Sequence, residues 1–113
     1  MYSILPICLL SKCFHYFVLM KNDIIAILRN NKKNLFSKYP LKSMALFGSY
    51  ANGNENESSD VDILVELDGR IGFGFLHLNY EIEDLLKKKV DLISKRGLKK
   101  EFINAINSEL IYV

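Results

Sequence analysis

Residues Leu46 to Leu67 read LFGSYANGNENESSDVDILVEL, and the second half of this stretch constrains the fold more than any other part of the chain. Val61, Ile63 and Val65 alternate with Asp62, Leu64 and Glu66, the two-residue period of a strand whose faces differ. Asp60 and Asp62 then share one face at the point where an apolar strand should enter a core. Upstream, Lys42 to Phe47 is a short apolar run that stops at Gly48 and reads as a first strand. Ser49 to Gly53 is long enough for a helical turn or two, and NGNENESS is a polar loop. If Gly48 and Ser49 are to meet Asp60 and Asp62, the two strands must run antiparallel.

The flanking segments supply helices. From Asp23 to Lys38 the positions Ile24, Ile27, Leu28, Leu35 and Phe36 fall on one face at helical spacing, with Asn22 or Asp23 as the expected cap. Tyr39-Pro40 should end this helix, because proline disfavours helical geometry in the residue before it. Three glycines lie between Asp68 and Gly74, and Phe75 to Lys88 carries Leu78, Ile82, Leu85 and Leu86 at helical spacing. VDLIS, Val90 to Ser94, is a third short strand. Gly97 precedes a last helix with Phe102, Ile103 and Ile106, and the chain closes on the apolar LIYV. This order predicts an α/β (α+β) domain with a small mixed sheet of three or four strands covered by helices. A helical crossover brings strand three back parallel to strand two, which sets Asp91 at the edge of Asp60 and Asp62.

Three carboxylates at one edge repel one another unless a cation is bound. Oxygen-only ligands suit Mg²⁺, which keeps several waters and takes phosphate oxygens as remaining ligands. Two such ions about 3.5–4 Å apart stabilise the attacking and leaving oxygens of an in-line displacement at phosphorus. Gly48 permits close backbone approach, and the Ser49 hydroxyl with nearby amides can hold a triphosphate tail. Each piece alone has a plainer reading: an Asp-x-Asp at a strand start is usually a turn or capping feature, and Gly-Ser after a strand is usually a loop. Asp91 alone could pair with Lys87, Lys89 or Lys95. Together and in this order they are the minimum set for nucleotidyl transfer, with Asp91 the candidate base.

Composition narrows the partners. The chain has 113 residues, room for one domain, and 15 Lys and Arg against 13 Asp and Glu, a balance too even to predict nucleic-acid binding. Lys87, Lys88, Lys89, Lys95, Arg96, Lys99 and Lys100 cluster around Asp91 and read first as a solvated helix face. GFG, Gly72 to Gly74, is too short for a phosphate loop and reads as a helix entry, and His77, between Leu76 and Leu78 in the helix, reads as a boundary residue between its buried and solvated faces. Cys8 and Cys13 match no zinc or disulfide framework, which makes the reducing cytoplasm the expected compartment.

Residues 1–20 contain 15 apolar residues, and the composition changes abruptly at Met20. A span needs roughly 18 or more nearly uninterrupted apolar residues, and Pro6, Lys12 and His15 interrupt this segment. No positive charge precedes its apolar stretch, as a signal peptide would require. Residues 1–19 therefore read as an apolar extension, as a helix, tail or weak anchor, or as the product of a start assigned too early; residues 20–113 read as the functional domain.

Gly48-Ser49, ten intervening residues and Asp60-x-Asp62 form a pattern that resembles the nucleotidyltransferase superfamily of polymerase β-like fold. MALFGSYANG, SSDVDILVEL, KKKVDLIS and INSELIYV are more specifically similar to the minimal nucleotidyltransferase (MNT) domains, the MntA-like antitoxins of type VII HEPN/MNT toxin-antitoxin systems. The resemblance covers about Met20 to Val113. It implies a metal site of Asp60, Asp62 and Asp91, with Gly48 and Ser49 in the nucleotide-holding turn. It further implies ATP as donor, AMP as the transferred group and a tyrosine of a cognate HEPN ribonuclease as acceptor, with no membrane or direct nucleic-acid role. One departure stands out: relatives often have Arg where this chain has Asn52, a neutral amide in place of a charged fork. Two other functions compete, a small-molecule nucleotidyltransferase of the aminoglycoside-modifying kind and a non-catalytic antitoxin that blocks its partner by contact.

Overall fold

A computed structural model describes residues 21–53 and 60–113. The expectations for the apolar extension and for the polar loop at 54–59 lie outside these residues. Helix α1 (Lys21–Lys38) buries Ile24, Leu28 and Leu35 completely and turns its Lys and Asn residues outward. Asn22 and Asp23 are already helical, so neither is the expected cap; Asp23 instead sits in the first turn, where its charge suits the helix dipole. The Tyr39 amide still reaches the Leu35 carbonyl at 3.0 Å, and Pro40 ends the helix.

Strand β1 (Leu41–Phe47) runs into the short helix α2 (Ser49–Asn52), which Gly53 closes in a left-handed conformation. Strand β2 (Val61–Leu67) pairs antiparallel with β1, and the crossover helix α3 (Gly74–Leu86) returns the chain to β3 (Val90–Ser94), parallel to β2. A 3-10 turn at Lys95–Gly97 leads to α4 (Lys100–Ile106), a second at Asn107–Glu109 follows, and β4 (Ile111–Tyr112) pairs antiparallel with β1. The sheet order is β3-β2-β1-β4. The expected antiparallel first pair and parallel crossover are both present, and the apolar end LIYV closes the sheet as its fourth strand.

The two faces of β2 sort as the alternation requires. Val61, Ile63 and Val65 point into the main core with Ile24, Leu28 and Leu35 of α1 and Leu78, Ile82 and Leu86 of α3. Leu64 points the other way, into a smaller cluster with Phe47 and Ile106 that Ile93, Leu98 and Leu110 extend. Asp62 shares that second face and lies at its end. Where α1 meets α3, Lys38 Nζ donates to Glu81 Oε2 at 2.7 Å and the Tyr39 hydroxyl to Glu81 Oε1 at 2.8 Å. These bonds tie the end of α1 to α3. Among the described residues no helix is long and apolar enough to cross a membrane.

Candidate active site

Register alone assembles most of the site. Phe47 faces Asp62 across the antiparallel pair, so Gly48, one residue beyond β1, lies beside the Asp62 carboxylate. Asp62 faces Asp91 across the parallel pair, and Asp60 precedes the strand on the same face. Both strand starts are held: the Val61 amide donates to the Lys89 carbonyl at 3.0 Å, and the Val90 amide to Glu83 Oε2 at 2.9 Å. Both strand starts are therefore held by bonds that leave the three aspartate side chains out, one to a backbone carbonyl and one to the Glu83 carboxylate.

Gly48 has φ +76° and ψ −148°, a combination open to glycine and strained for other residues. A Cβ there would fall on Asp62 Oδ2, and would lie 3.0 Å from its Cγ and 3.3 Å from its Cβ. The position thus forbids a side chain twice, once by conformation and once by the carboxylate against it. The Gly48 carbonyl accepts from the Ala51 and Asn52 amides at 3.0 and 3.1 Å and so starts α2. Buried Tyr50 and Ala51 anchor that helix, which leaves Ser49 half-buried next to Gly48. The Gly48 amide points elsewhere and donates to Glu109 Oε1 at 3.2 Å.

Asp62 is half-buried while Asp60 and Asp91 are exposed. Burial pushes the Asp62 carboxyl above its ordinary value of 3.8, and the charges of Asp91 and then Asp60 push it further the same way. The ion pairs formed among the described residues lie elsewhere, at Lys38–Glu81, Lys42–Glu66, Lys87–Asp84 and Lys95–Glu66. Among the described residues no group of three or more His, Cys, Asp or Glu side chains is gathered closely enough to hold a metal ion, the three aspartates included. In chemistry the donor set suits Mg²⁺: its groups are hard carboxylate oxygens, two of them on exposed residues, at strand starts beside a glycine against which Asp62 Oδ2 packs where a Cβ would otherwise lie.

The remaining sequence expectations fare unevenly. The seven basic residues around Asp91 do not form one helix face; they spread over the end of α3, the approach to β3, the 3-10 turn and the approach to and start of α4. Lys88 Nζ sits 5.7 Å from the centre of the Tyr50 ring, on the helix that follows Ser49. His77 is exposed, and α3 begins at Gly74 with Phe73 as its cap, so GFG is a helix entry. Nothing in the sequence marks Glu109 or Glu83, whose carboxylates accept from the Gly48 and Val90 amides. No spacing rule ties Glu109 to a backbone amide 61 residues earlier, and Glu83 looks in sequence like any exposed helix acid.

The nucleotidyltransferase domain family matches residues 28–113. A provisionally named protein adenylyltransferase of Methanocaldococcus jannaschii is 45% identical over 96 residues, an alignment that covers 81% of this chain and 96% of the relative. The protein adenylyltransferase MntA of Thermococcus cleftensis is 35% identical over 97 residues, covering 85% of this chain and 98% of that one. Among solved structures, a toxin-antitoxin complex with AMP-PNP superposes with a TM-score of 0.59 at 27% identity, covering 81% of this chain and 70% of that chain. A complex of a tri-AMPylated Shewanella oneidensis HEPN toxin with its MNT antitoxin gives a TM-score of 0.51 at 25% identity, covering 81% and 66%.

Proposed function

The chain belongs to the nucleotidyltransferase domain family, and we propose that it is the antitoxin of a HEPN/MNT pair, a protein adenylyltransferase that moves AMP from ATP to a tyrosine hydroxyl of its cognate HEPN ribonuclease. The observation that carries this reading is the junction of Gly48 with Asp62, flanked by Asp60 and Asp91. The relatives named adenylyltransferases and the toxin-antitoxin neighbours support the choice of acceptor.

In this reading the missing side chain at Gly48 lets the Asp62 carboxylate pack directly against the turn, which brings the turn that would hold the triphosphate next to the acidic edge. Ser49, held by the start of α2, offers its hydroxyl to the triphosphate. Asp60, Asp62 and Asp91 would hold Mg²⁺, which when bound supplies the positive charge that the triphosphate and the leaving pyrophosphate require. Asp91, exposed at the start of β3, is the group best placed to accept the proton of an incoming hydroxyl at its carboxylate oxygen. The acceptor oxygen then bonds to the α-phosphorus as the bond to pyrophosphate breaks. A single small domain offers little material to enclose an acceptor, which favours a macromolecule presenting its own tyrosine over a small aminoglycoside-like substrate.

The non-catalytic reading keeps one point in its favour: Asn52 is exposed, and it is a neutral amide at the position where the resemblance implies an arginine. Incubating the chain with labelled ATP, Mg²⁺ and the product of the adjacent gene separates the two. Adenylyl transfer to one tyrosine of a HEPN protein, lost in Asp60→Ala and Asp62→Ala, is the expected result. Neutralisation that survives both substitutions, with no label on the partner, would establish blocking by contact.

A further inference from the structure

Gly48 is the hinge of the candidate site, and its two backbone polar groups have separate anchors. Its carbonyl is fixed locally, by Ala51 and Asn52 of α2. Its amide is fixed by Glu109, in the 3-10 turn that precedes β4. That turn is itself anchored, because β4 pairs Ile111 with Leu46 and Tyr112 with Ala45, the residues leading to Gly48. The Val113 amide adds a bond to the Met44 carbonyl at 3.1 Å. The C-terminal segment therefore grips the last part of β1 by backbone pairing and the residue after it by a carboxylate.

We infer that Glu109 is a positioning residue of the nucleotide turn: by accepting a hydrogen bond from the Gly48 amide it holds Gly48 in its positive-φ conformation against Asp62 and sets where Ser49 meets the triphosphate. This rests on the nucleotide-binding role proposed above for Gly48 and Ser49. The Gly48 amide, committed to Glu109, is then not one of the donors that grip phosphate. An amide-to-carboxylate bond is stronger than a neutral one, and it acts at a residue whose Cβ position is occupied by the Asp62 carboxylate. Rotating Gly48 about either flanking bond would move Ser49 and cover or uncover Asp62 Oδ2.

The test uses the full chain and two variants, Glu109→Ala, which removes the acceptor, and Glu109→Gln, which keeps an amide oxygen in its place. AMP-PNP with Mg²⁺, titrated calorimetrically, is expected to bind roughly ten-fold more weakly to Glu109→Ala and within about three-fold of wild type to Glu109→Gln. Hydrogen exchange of the Gly48 amide, followed by ¹H–¹⁵N NMR, should accelerate in the first variant and stay protected in the second. Unchanged affinity in Glu109→Ala, even with a lowered melting temperature, overturns the inference and leaves Glu109 a structural contact. Tighter binding overturns it as well, since Glu109 would then be occupying a phosphate position. Equal weakening in both variants would assign the effect to charge and not to the amide bond. If the wild type itself binds no nucleotide, the proposed function fails, and Gly48 exchange alone decides whether Glu109 holds the turn.

Discussion

Two carboxylates of this small domain, Glu81 on α3 and Asp62 on β2, are both partly buried and are driven in opposite directions. Glu81 accepts from Lys38 and from the Tyr39 hydroxyl, and its carboxyl lies below its ordinary value of 4.5, the Lys38 hydrogen bond being the largest cause. Asp62 meets burial and two further acids, and its carboxyl lies above its ordinary value. The fold gains from ionising Glu81 and loses from ionising Asp62. An acid that costs the fold, set where its neighbours are also acids, is one that a folded protein has reason to keep only for something it binds.

The largest expected effect tests that contrast at Asp62. Asp62→Asn should lower adenylyl transfer by about three orders of magnitude or more, as loss of a metal-holding, charge-bearing group does. It should also raise the melting temperature at neutral pH, because it removes a repelled charge. Calorimetry beside the transfer assay checks both at once, and a lowered melting temperature would break the comparison by making Asp62 a structural acid like Glu81. Next is Gly48→Ala, which places a methyl group on Asp62 Oδ2 at a positive φ. A loss of about 1–3 kcal/mol of stability and of roughly a hundred-fold in transfer is expected. Adding Asp62→Gly should recover part of the stability by removing the clash, and none of the activity. A double-mutant cycle in urea measures this coupling.

Why part of this was legible in sequence follows from which interactions are local. The alternation from Val61 to Glu66 fixed both faces of β2, and the need to join Gly48 to Asp60 and Asp62 dictated the antiparallel pair. The helical crossover, which returns β3 parallel to β2, then set Asp91 at the same edge, and the register brings it level with Asp62. The contacts that escaped are carried by long side chains between elements distant in sequence. Glu109 reaches Gly48, Glu83 reaches Val90 and Glu81 gathers Lys38 and Tyr39, and none of these acids has a spacing that distinguishes it from a solvated one. The N-terminus of α1 also misled, since Asn22 and Asp23 have the chemistry of caps yet lie inside the helix.

A smaller effect is expected at Asn52, exposed at the end of α2, the helix that Ser49 begins. Asn52→Arg adds a charged fork near the proposed triphosphate position, and an exposed charge-assisted contact should tighten ATP binding several-fold, roughly up to ten-fold. Titration of the variant at two salt concentrations checks it, because the gain should shrink as salt rises. An unchanged affinity would detach the end of α2 from the nucleotide and move the search for a phosphate cation to Lys88, which lies over the Tyr50 ring.

The smallest effect sharpens the comparison from the Glu81 side, through pH. Because the folded carboxyl of Glu81 lies below its unfolded value, the folded state holds fewer protons there, and its stabilisation is fully present above about 4.5. It is lost as the pH falls from that value through the lower folded one. For Asp62 the sign reverses: the folded state takes up its proton first, so stability rises as the pH falls through the raised folded value toward 3.8. Lys38 is half exposed, so water screens the pair and Glu81→Gln should cost no more than about 1 kcal/mol at pH 7. That cost should shrink below pH 4.5, whereas the gain from Asp62→Asn should shrink over the adjoining window above 3.8. Urea unfolding of both variants and the wild type between pH 3 and 7 gives the two differences, and their slopes against pH should have opposite sign. Parallel slopes would mean that the two carboxylates share one electrostatic environment, and the acidic edge would lose its claim to be poised for a cation.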